Sequence, residues 1–178
     1  MFGYNELDQP DLSILPQWTR VIKRHPREDF DSTNIQLKEW LAFVNSLRML
    51  PPREQIEKVN SFANERKYIV DLRNYGVKDY WAIVKEFLHN FGDCEDFSIT
   101  KFYSLRLLGF NEDDLRVLIL QDTNLGVAHA VLAVALDGDV LILDNQSQQV
   151  ISHHEIVHYT PLYSVNEQQW WLHLPPNL

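Results

Sequence analysis

The fold is indicated most clearly by the stretch GDCEDFSITKFYSLRLLG, residues 92–109. Asp93 is a suitable N-cap, acidic residues follow Cys94 in the first turn, and Gly109 supplies a C-terminal cap. Apolar residues recur at helical spacing between these two caps. The stretch therefore predicts a helix that begins at Cys94 and ends before Gly109.

After this helix the pattern changes to that of β-strands. Runs of apolar residues cover 115–120, 127–134 and 140–144, and a shorter run lies near 159–164. The Asp137-Gly138 pair separates two of these runs and is a typical type I′ turn signal. We therefore expect the second and third strands to pair as an antiparallel hairpin.

Three further stretches with helical spacing precede residue 92. They extend from Ser32 or Thr33, both suitable N-caps, to Leu50, from Pro52 to about Phe62, and from about Val77 to Asn90. Residues 1–31 are rich in proline and charge and have no clean periodicity. We expect them to form an ordered but irregular lead-in.

Helices followed by strands are typical of an α+β domain with an antiparallel sheet. The chain has 178 residues, of which 45% are hydrophobic, so it is long enough for one core and short for two typical domains. We predict a single domain over residues 1–178, with a mainly helical half at 32–109 and a mainly β half at 115–172.

Composition argues against several classes of protein. The net charge of -9 repels nucleic acids and anionic membranes. No run approaches the roughly 18 consecutive apolar residues that span a bilayer. Residues 1–18 have neither the basic nor the apolar region of a secretory signal, so we expect none in this sequence. The single cysteine, Cys94, excludes an internal disulfide and a structural zinc site built from several thiolates.

Cys94 itself has two interpretations. At a helix start, the free backbone N–H groups and the positive end of the helix dipole would stabilise a thiolate and lower its pKa, which is typical of a nucleophile. The alternative is an inert buried thiol, since free cysteine is among the most buried residue types.

Two further residues decide between these interpretations. His129 lies within an otherwise apolar strand and faces the same side as Val131. Counting outward from the Asp137-Gly138 turn places Asp144 opposite Val131, one diagonal step from His129, with a backbone separation of about 7–8 Å. If the helix start at Cys94 packs over this point, the three side chains form a Cys-His-Asp triad.

The residues around this triad carry a resemblance to a known family. The matching runs are Asp79-Tyr80-Trp81, Gly92–Phe97, Lys101–Gly109, Ala128–Leu132, Leu143-Asp144-Asn145, Ser164-Val165-Asn166 and Trp170-Trp171. In order, spacing and flanking residues the chain resembles the bacterial transglutaminase-like cysteine proteinases over about residues 70–172. Within them it is similar to the LapG-type periplasmic proteases.

The resemblance implies a papain-like transglutaminase core in which Cys94, His129 and Asp144 match the nucleophile, the base and the orienting acid. Proteases of this type cleave the N-terminal region of large surface adhesins at a paired-alanine site, which releases the adhesin and disperses biofilm. An inner-membrane receptor that senses cyclic di-GMP holds them inactive. The resemblance thus implies a periplasmic location, an adhesin substrate and this receptor as the regulatory partner.

The resemblance also implies calcium, bound beside the nucleophile by Asp93, Glu95 and Asp96. Three carboxylates within four residues offer oxygen ligands to a hard cation, and a bound ion would offset their mutual repulsion. The residues alone leave a second interpretation open, in which these acids only cap the helix N-terminus.

Two other functions remain open from the sequence. The same triad would also serve an enzyme that transfers the acyl group to an amine, as transglutaminases do. The cleft would also serve a catalytically silent module that binds an extended peptide. Hydrolysis by a cysteine endopeptidase is the function that we predict.

Overall fold

The structure, a computed structural model, describes residues 1–25 and 34–176. The helices are α1 (Pro16–Arg24), α2 (Ile35–Ser46), α3 (Pro52–Asn64), α4 (Asp71–Asn74), α5 (Val84–Asn90) and α6 (Cys94–Leu108). The strands are β1 (Asn5–Gln9), β2 (Leu115–Asp122), β3 (Val127–Leu136), β4 (Asp139–Leu143), β5 (Ile151–Ser152), β6 (Tyr159–Val165) and β7 (Trp170–Leu174). The predicted α+β class is confirmed. Within the described ranges, no helix is both long and apolar enough to cross a bilayer.

The strands form one antiparallel sheet in the order β1-β7-β6-β2-β3-β4-β5. The predicted hairpin joins β3 to β4, and its register pairs Leu136 with Asp139. Asp137 and Gly138 both have positive φ, 53° and 83°, as a type I′ turn requires. The sequence therefore predicted both the turn and the register of the two strands that carry His129 and lead to Asp144.

Helix α6 lies across the sheet and is buried along most of its length. Its apolar side chains Ile99, Phe102 and Leu105 are fully buried in the same cluster as Val117 of β2 and Leu132 of β3. Each such side chain contributes about 1.5–3 kcal/mol by leaving water. Because α6 is fixed by this packing, its first residue, Cys94, has a fixed position above the sheet.

The ends of α6 and of α3 agree with the prediction. Helix α6 begins at Cys94 after Asp93 and ends at Gly109, whose φ of 100° is left-handed and suits glycine. Helix α3 begins at Pro52, as predicted. Helix α2 begins after Asn34, whose side chain accepts a hydrogen bond from the Leu37 N–H. It ends at Ser46 rather than at Leu50, and the predicted caps Ser32 and Thr33 lie outside the described residues.

Two predictions about local structure were wrong. The helix expected over residues 77–90 is present only as α5, from Val84. The segment before it has no regular structure because the N–H groups of Tyr80 and Ala82 bind the carboxylates of Asp71 and Asp96 instead of helix carbonyls. These partners are distant in sequence, so local spacing carries no sign of them.

The lead-in over residues 1–31 is not irregular where the structure describes it. Asn5–Gln9 form the edge strand β1, which pairs with β7 and therefore obtains its hydrogen bonds from the other end of the chain. Helix α1 follows, with Pro16 in its first turn and with Trp18 and Val21 buried. The indole of Trp18 donates to the carbonyl of Asn166 at 2.6 Å, which ties α1 to the sheet.

Candidate active site

A surface cleft lies between the start of α6 and the strands β2, β3 and β6. Cys94 lines it together with His129, Tyr68, Trp81 and Tyr163. Cys94 is partly exposed and is the first residue of α6, so its N–H is not used by the helix ladder. The cleft therefore presents a thiol, an imidazole and an unused backbone donor on one surface.

The structure brings His129 and Asp144 together behind this surface. The Nε2 atom of His129, on β3, lies 2.9 Å from Oδ1 of Asp144, the residue that follows β4. Both side chains are buried. Because a carboxylate only accepts, His129 donates from Nε2, and Nδ1 is the ring nitrogen left for a group in the cleft.

The carboxylate of Asp144 is bonded through both oxygens. Oδ1 also accepts from the main-chain N–H of Gln146 at 2.9 Å, and Oδ2 accepts from the hydroxyl of Tyr159. Burial alone would raise the pKa of Asp144, but the hydrogen bond and charge of His129, with the Tyr159 bond, hold it below its usual value. Asp144 is thus an ionised, well-held acceptor for the imidazole.

On the other side of Cys94 the structure gathers carboxylates. Asp71 of α4 lies with Asp93 and Asp96 in one group, and with Asp79 and Glu95 in another, and oxygen atoms within each group lie within 4.8 Å of one another. Burial and neighbouring acids raise the pKa of Asp71 to about 6 and that of Glu95 to about 10. The acids in these groups therefore disfavour one another's ionisation.

The oxygens of these acids are not equally available. Asp96 accepts from the N–H of Ala82 at 2.7 Å and from the N–H of Asp93 at 3.2 Å, so both of its oxygens hold the backbone. By contrast, Oδ1 of Asp71 and Oδ1 of Asp93 are buried without a hydrogen-bond partner among the described residues. Buried unsatisfied carboxylate oxygens in a cluster are the donor set that a hard cation such as calcium requires.

Asp71 was missed by the sequence analysis. It lies 22 residues before Asp93 in a stretch without a motif, and only the fold brings its backbone N–H to Oδ2 of Asp93, at 3.2 Å. No local pattern in the sequence indicates this contact. The residues predicted for calcium, Asp93, Glu95 and Asp96, lie in the cluster, but Asp96 is already committed to the backbone.

Gly92 permits this arrangement. A Cβ atom at this position would lie 2.0 Å from Oδ2 of Asp96. Glycine is therefore required at position 92 so that the side chain of Asp96 can fold back against the residues that precede α6.

The thiol of Cys94 is affected by the same acids. Its Sγ lies 3.3 Å from Oε2 of Glu95, and burial, followed by the charges of Glu95 and Asp93, raises its pKa well above the usual value. The sequence prediction of a lowered pKa was therefore wrong for these residues by themselves. The helix N-terminus favours a thiolate, but burial and then the adjacent carboxylates disfavour it.

The rim of the cleft is held by Asp79. Its Oδ1 accepts from the indole of Trp81 at 3.1 Å, and its Oδ2 accepts from the amide of Gln17 at 2.7 Å. The Trp81 indole N–H is therefore committed to Asp79, and α1 is linked to the wall of the cleft.

The sequence and the fold are similar to those of known proteins. Residues 45–177 match the family described as bacterial transglutaminase-like cysteine proteinase. The structure is similar to Legionella pneumophila LapG, with 32% identity and a TM-score of 0.71 over 86% of each chain. It is also similar to a calcium-bound form of that protein (30% identity, TM-score 0.72, 85% and 87% of the two chains) and to an EGTA-treated form (32%, 0.71, 86% and 84%). No curated protein sequence matches the chain.

Proposed function

The chain belongs to the bacterial transglutaminase-like cysteine proteinases and is a cysteine protease, and we propose that Cys94, His129 and Asp144 form its catalytic triad. The observation that carries this proposal is the pairing of His129 with Asp144 through Nε2, on the wall of the cleft that exposes Cys94. The chain has no other cysteine to serve as nucleophile.

In this mechanism, Nδ1 of His129 takes the proton of the Cys94 thiol, and the thiolate attacks the carbonyl carbon of the scissile peptide bond. The imidazolium then gives its proton to the leaving amine, which leaves an acyl-enzyme. His129 next takes a proton from water, whose oxygen attacks the acyl carbon. The bond to the Cys94 sulfur then breaks, the carboxylic acid leaves, and the imidazolium returns its proton to the sulfur. Asp144 holds the imidazole in one orientation and stabilises its cationic form throughout.

The oxyanion of the tetrahedral intermediate needs a donor close to the nucleophile. The main-chain N–H of Cys94 is suited to this role because it is the first of α6 and has no carbonyl partner within the helix. We do not assign the Trp81 indole to this role, since it donates to Asp79.

We propose that calcium is held by Asp93 and Glu95 together with Asp71, and that Asp96 supports the site through the backbone. The unpartnered oxygens of Asp71 and Asp93 and the raised pKa values of the cluster favour a hard cation there. When bound, calcium would offset the carboxylate charge that raises the pKa of the Cys94 thiol. Calcium-bound and EGTA-treated forms of the similar Legionella protein support this proposal.

For the substrate, we propose the N-terminal region of a large surface adhesin, cut at a paired-alanine site. The similarity to LapG supports it. Cleavage would release the adhesin and disperse biofilm, under control of an inner-membrane receptor for cyclic di-GMP. This activity requires a periplasmic location.

The test is to incubate the protein with an adhesin N-terminal fragment that contains a paired alanine, with calcium and with EGTA, and to map the products by mass spectrometry. We expect a new N-terminus between or beside the alanines, formed with calcium, greatly slowed by EGTA and absent in Cys94→Ala. His129→Asn should abolish cleavage, and His173→Asn is its matched control because His173 is a buried histidine bonded to Ser164 outside the cleft.

Each other outcome identifies a different function. Incorporation of an added amine without a new N-terminus would indicate acyl transfer. Binding of the fragment that is unchanged in Cys94→Ala, with no cleavage by the wild type, would indicate a peptide-binding module. Cleavage that persists in Cys94→Ala would exclude the proposed mechanism.

A further inference from the structure

The segment that begins at Asp144 is irregular and is hydrogen-bonded to side chains of helix α3. This segment, residues 144–148, is here called the acid loop. The amide of Asn64 donates to the carbonyl of Asp144 at 2.7 Å and to the carbonyl of Ser147 at 2.8 Å. The amide of Asn60 donates to the carbonyls of Ser147 and Gln148 at 3.1 and 3.2 Å.

Two asparagines four residues apart lie on one face of a helix, so they meet the loop as a pair. Asn60 is completely buried. The side-chain oxygens of both asparagines are buried and have no hydrogen-bond partner among the described residues, which costs about 1–3 kcal/mol for each group. Only their donor nitrogens are used, and all four bonds end on the acid loop.

These bonds bear directly on the contact between Asp144 and His129. The N–H of Gln146, inside the acid loop, donates to the same carboxylate oxygen that accepts from His129. A loop released from α3 would therefore lose the Gln146 bond and shift the carboxylate away from the imidazole. The backbone of Asp144 itself is held from outside the loop by Asn64.

We propose that Asn64, supported by Asn60, is a positioning residue that fixes Asp144 on His129 by clamping the acid loop to α3. This inference rests on the proposed function, because it assigns Asn64 a part in catalysis through the triad. Without the clamp, Asp144 orients the imidazole less tightly. We expect kcat of Asn64→Ala to fall about 10–100-fold with little change in KM, as for a small misplacement of a catalytic group.

The matched control is Gln55→Ala. Gln55 is also a buried amide on α3, and its Nε2 donates to the main-chain carbonyl of Leu47 at 3.0 Å, away from the acid loop. Its loss removes the same kind of bond from the same helix. It should lower the melting temperature and leave kcat unchanged. Asn60→Ala should give an effect between those of Gln55→Ala and Asn64→Ala, because Asn60 does not contact Asp144.

The decisive measurement is nuclear magnetic resonance of the full chain labelled with ¹⁵N-histidine, with calcium present. In the wild type we expect a downfield, solvent-protected proton on Nε2 of His129, assigned by its absence in His129→Asn. Asn64→Ala should lose this signal to exchange with water, as Asp144→Asn should, and Gln55→Ala should retain it. A signal that persists unchanged in Asn64→Ala, with wild-type kcat, would overturn the inference.

The inference and the proposed function fail separately. If Asn64→Ala loses the signal and the wild type cuts no adhesin fragment, the clamp stands and the proposed substrate fails. If the wild type cuts the fragment and Asn64→Ala is unchanged in both readouts, only the clamp fails. Should Asn64→Ala not fold, Asn64→Ser retains one hydroxyl donor, and it should weaken the signal and lower kcat less than tenfold. A wild-type signal in Asn64→Ser would then overturn the clamp.

Discussion

The two sides of the cleft hold their carboxylates in opposite ways. On the histidine side, both oxygens of Asp144 are hydrogen-bonded, and its pKa lies below the usual value. On the acidic side, oxygens of Asp71 and Asp93 are buried without partners among the described residues, and the pKa values of both acids are raised. The polypeptide alone satisfies the carboxylate on the first side, whereas on the second it leaves carboxylate oxygens without a partner among the described residues.

The largest expected effect is the loss of activity in Asp144→Asn, which tests whether His129 depends on the carboxylate of Asp144. Asp144→Asn keeps the shape of the side chain but replaces an acceptor oxygen with a donor, so His129 loses its orienting partner. We expect kcat to fall by up to about 10⁴-fold, the loss that the same change causes in a Ser-His-Asp triad. Steady-state cleavage of the adhesin fragment at saturating calcium measures this loss.

The matched control for this variant is Asp122→Asn. Asp122 is also a buried acid at the end of a strand, and it accepts from the N–H groups of Asn124 and Leu125 without contact to His129. Its loss should destabilise the turn and leave kcat nearly unchanged. Equal losses of kcat in the two variants would show that Asp144 acts only through stability.

The acidic side depends on Gly92, and its replacement should have the next largest effect. Gly92→Ala places a Cβ atom against Asp96, which must then move away from the N–H groups of Ala82 and Asp93. Two hydrogen bonds to a charged group contribute about 1.5–3 kcal/mol each, so we expect the free energy of unfolding to fall by about 3–6 kcal/mol. Urea denaturation measures it.

Gly109→Ala is the control at the other end of α6. A Cβ atom there meets no atom within 4 Å, and only the left-handed φ is unfavourable. The expected loss is about 1 kcal/mol. If Gly92→Ala lowers the free energy of unfolding no more than Gly109→Ala does, Asp96 moves away from the added Cβ atom without losing stability.

Calcium should stabilise the protein through the acidic side. At a calcium concentration of about 100 times Kd, binding adds about 2.7 kcal/mol to the free energy of unfolding. For a chain of this size that corresponds to a rise in Tm of roughly 5–10 °C. Asp93→Asn should abolish most of the rise. Asp113→Asn, which removes an exposed carboxylate outside the cleft, should not, and scanning calorimetry with calcium and with EGTA separates them.

The sequence predicts a side of the cleft when local contacts build it, and fails to predict a side that depends on contacts between residues distant in sequence. The histidine side depends on the Asp137-Gly138 turn, a local signal that sets the register, so counting residues brought Asp144 to His129. The acidic side depends on Asp71, which reaches Asp93 through the fold alone. The bonds from the N–H groups of Tyr80 and Ala82 to Asp71 and Asp96 also depend on the fold, and they prevent a helix over residues 77–83. Likewise β1 exists because β7 supplies its partners.

The smallest expected effect is the pH dependence of stability in EGTA. Asp71 binds its proton more tightly in the folded state, where its pKa is about 6, than in the unfolded chain, where it is about 4. Between these values the folded state carries more protons, so the free energy of unfolding rises as pH falls from about 7 to about 5. Asp144 and His173 act with the opposite sign. The lowered pKa of Asp144 places its loss at more acidic pH, whereas burial lowers the pKa of His173 to about 4, so its loss falls within this range and subtracts from the gain.

Glu95 and Asp93 also have raised pKa values, so the gain from the acids should exceed the opposing loss, and thermal unfolding in EGTA should give a higher Tm near pH 5 than near pH 7. Asp71→Asn should reduce this difference. With saturating calcium the trend should reverse, because protons then compete with the cation for the same oxygens. A Tm in EGTA that falls steadily with acidification, with the same slope in Asp71→Asn, would mean that the acids on this side are already compensated by the polypeptide. The contrast between the two sides of the cleft would then disappear.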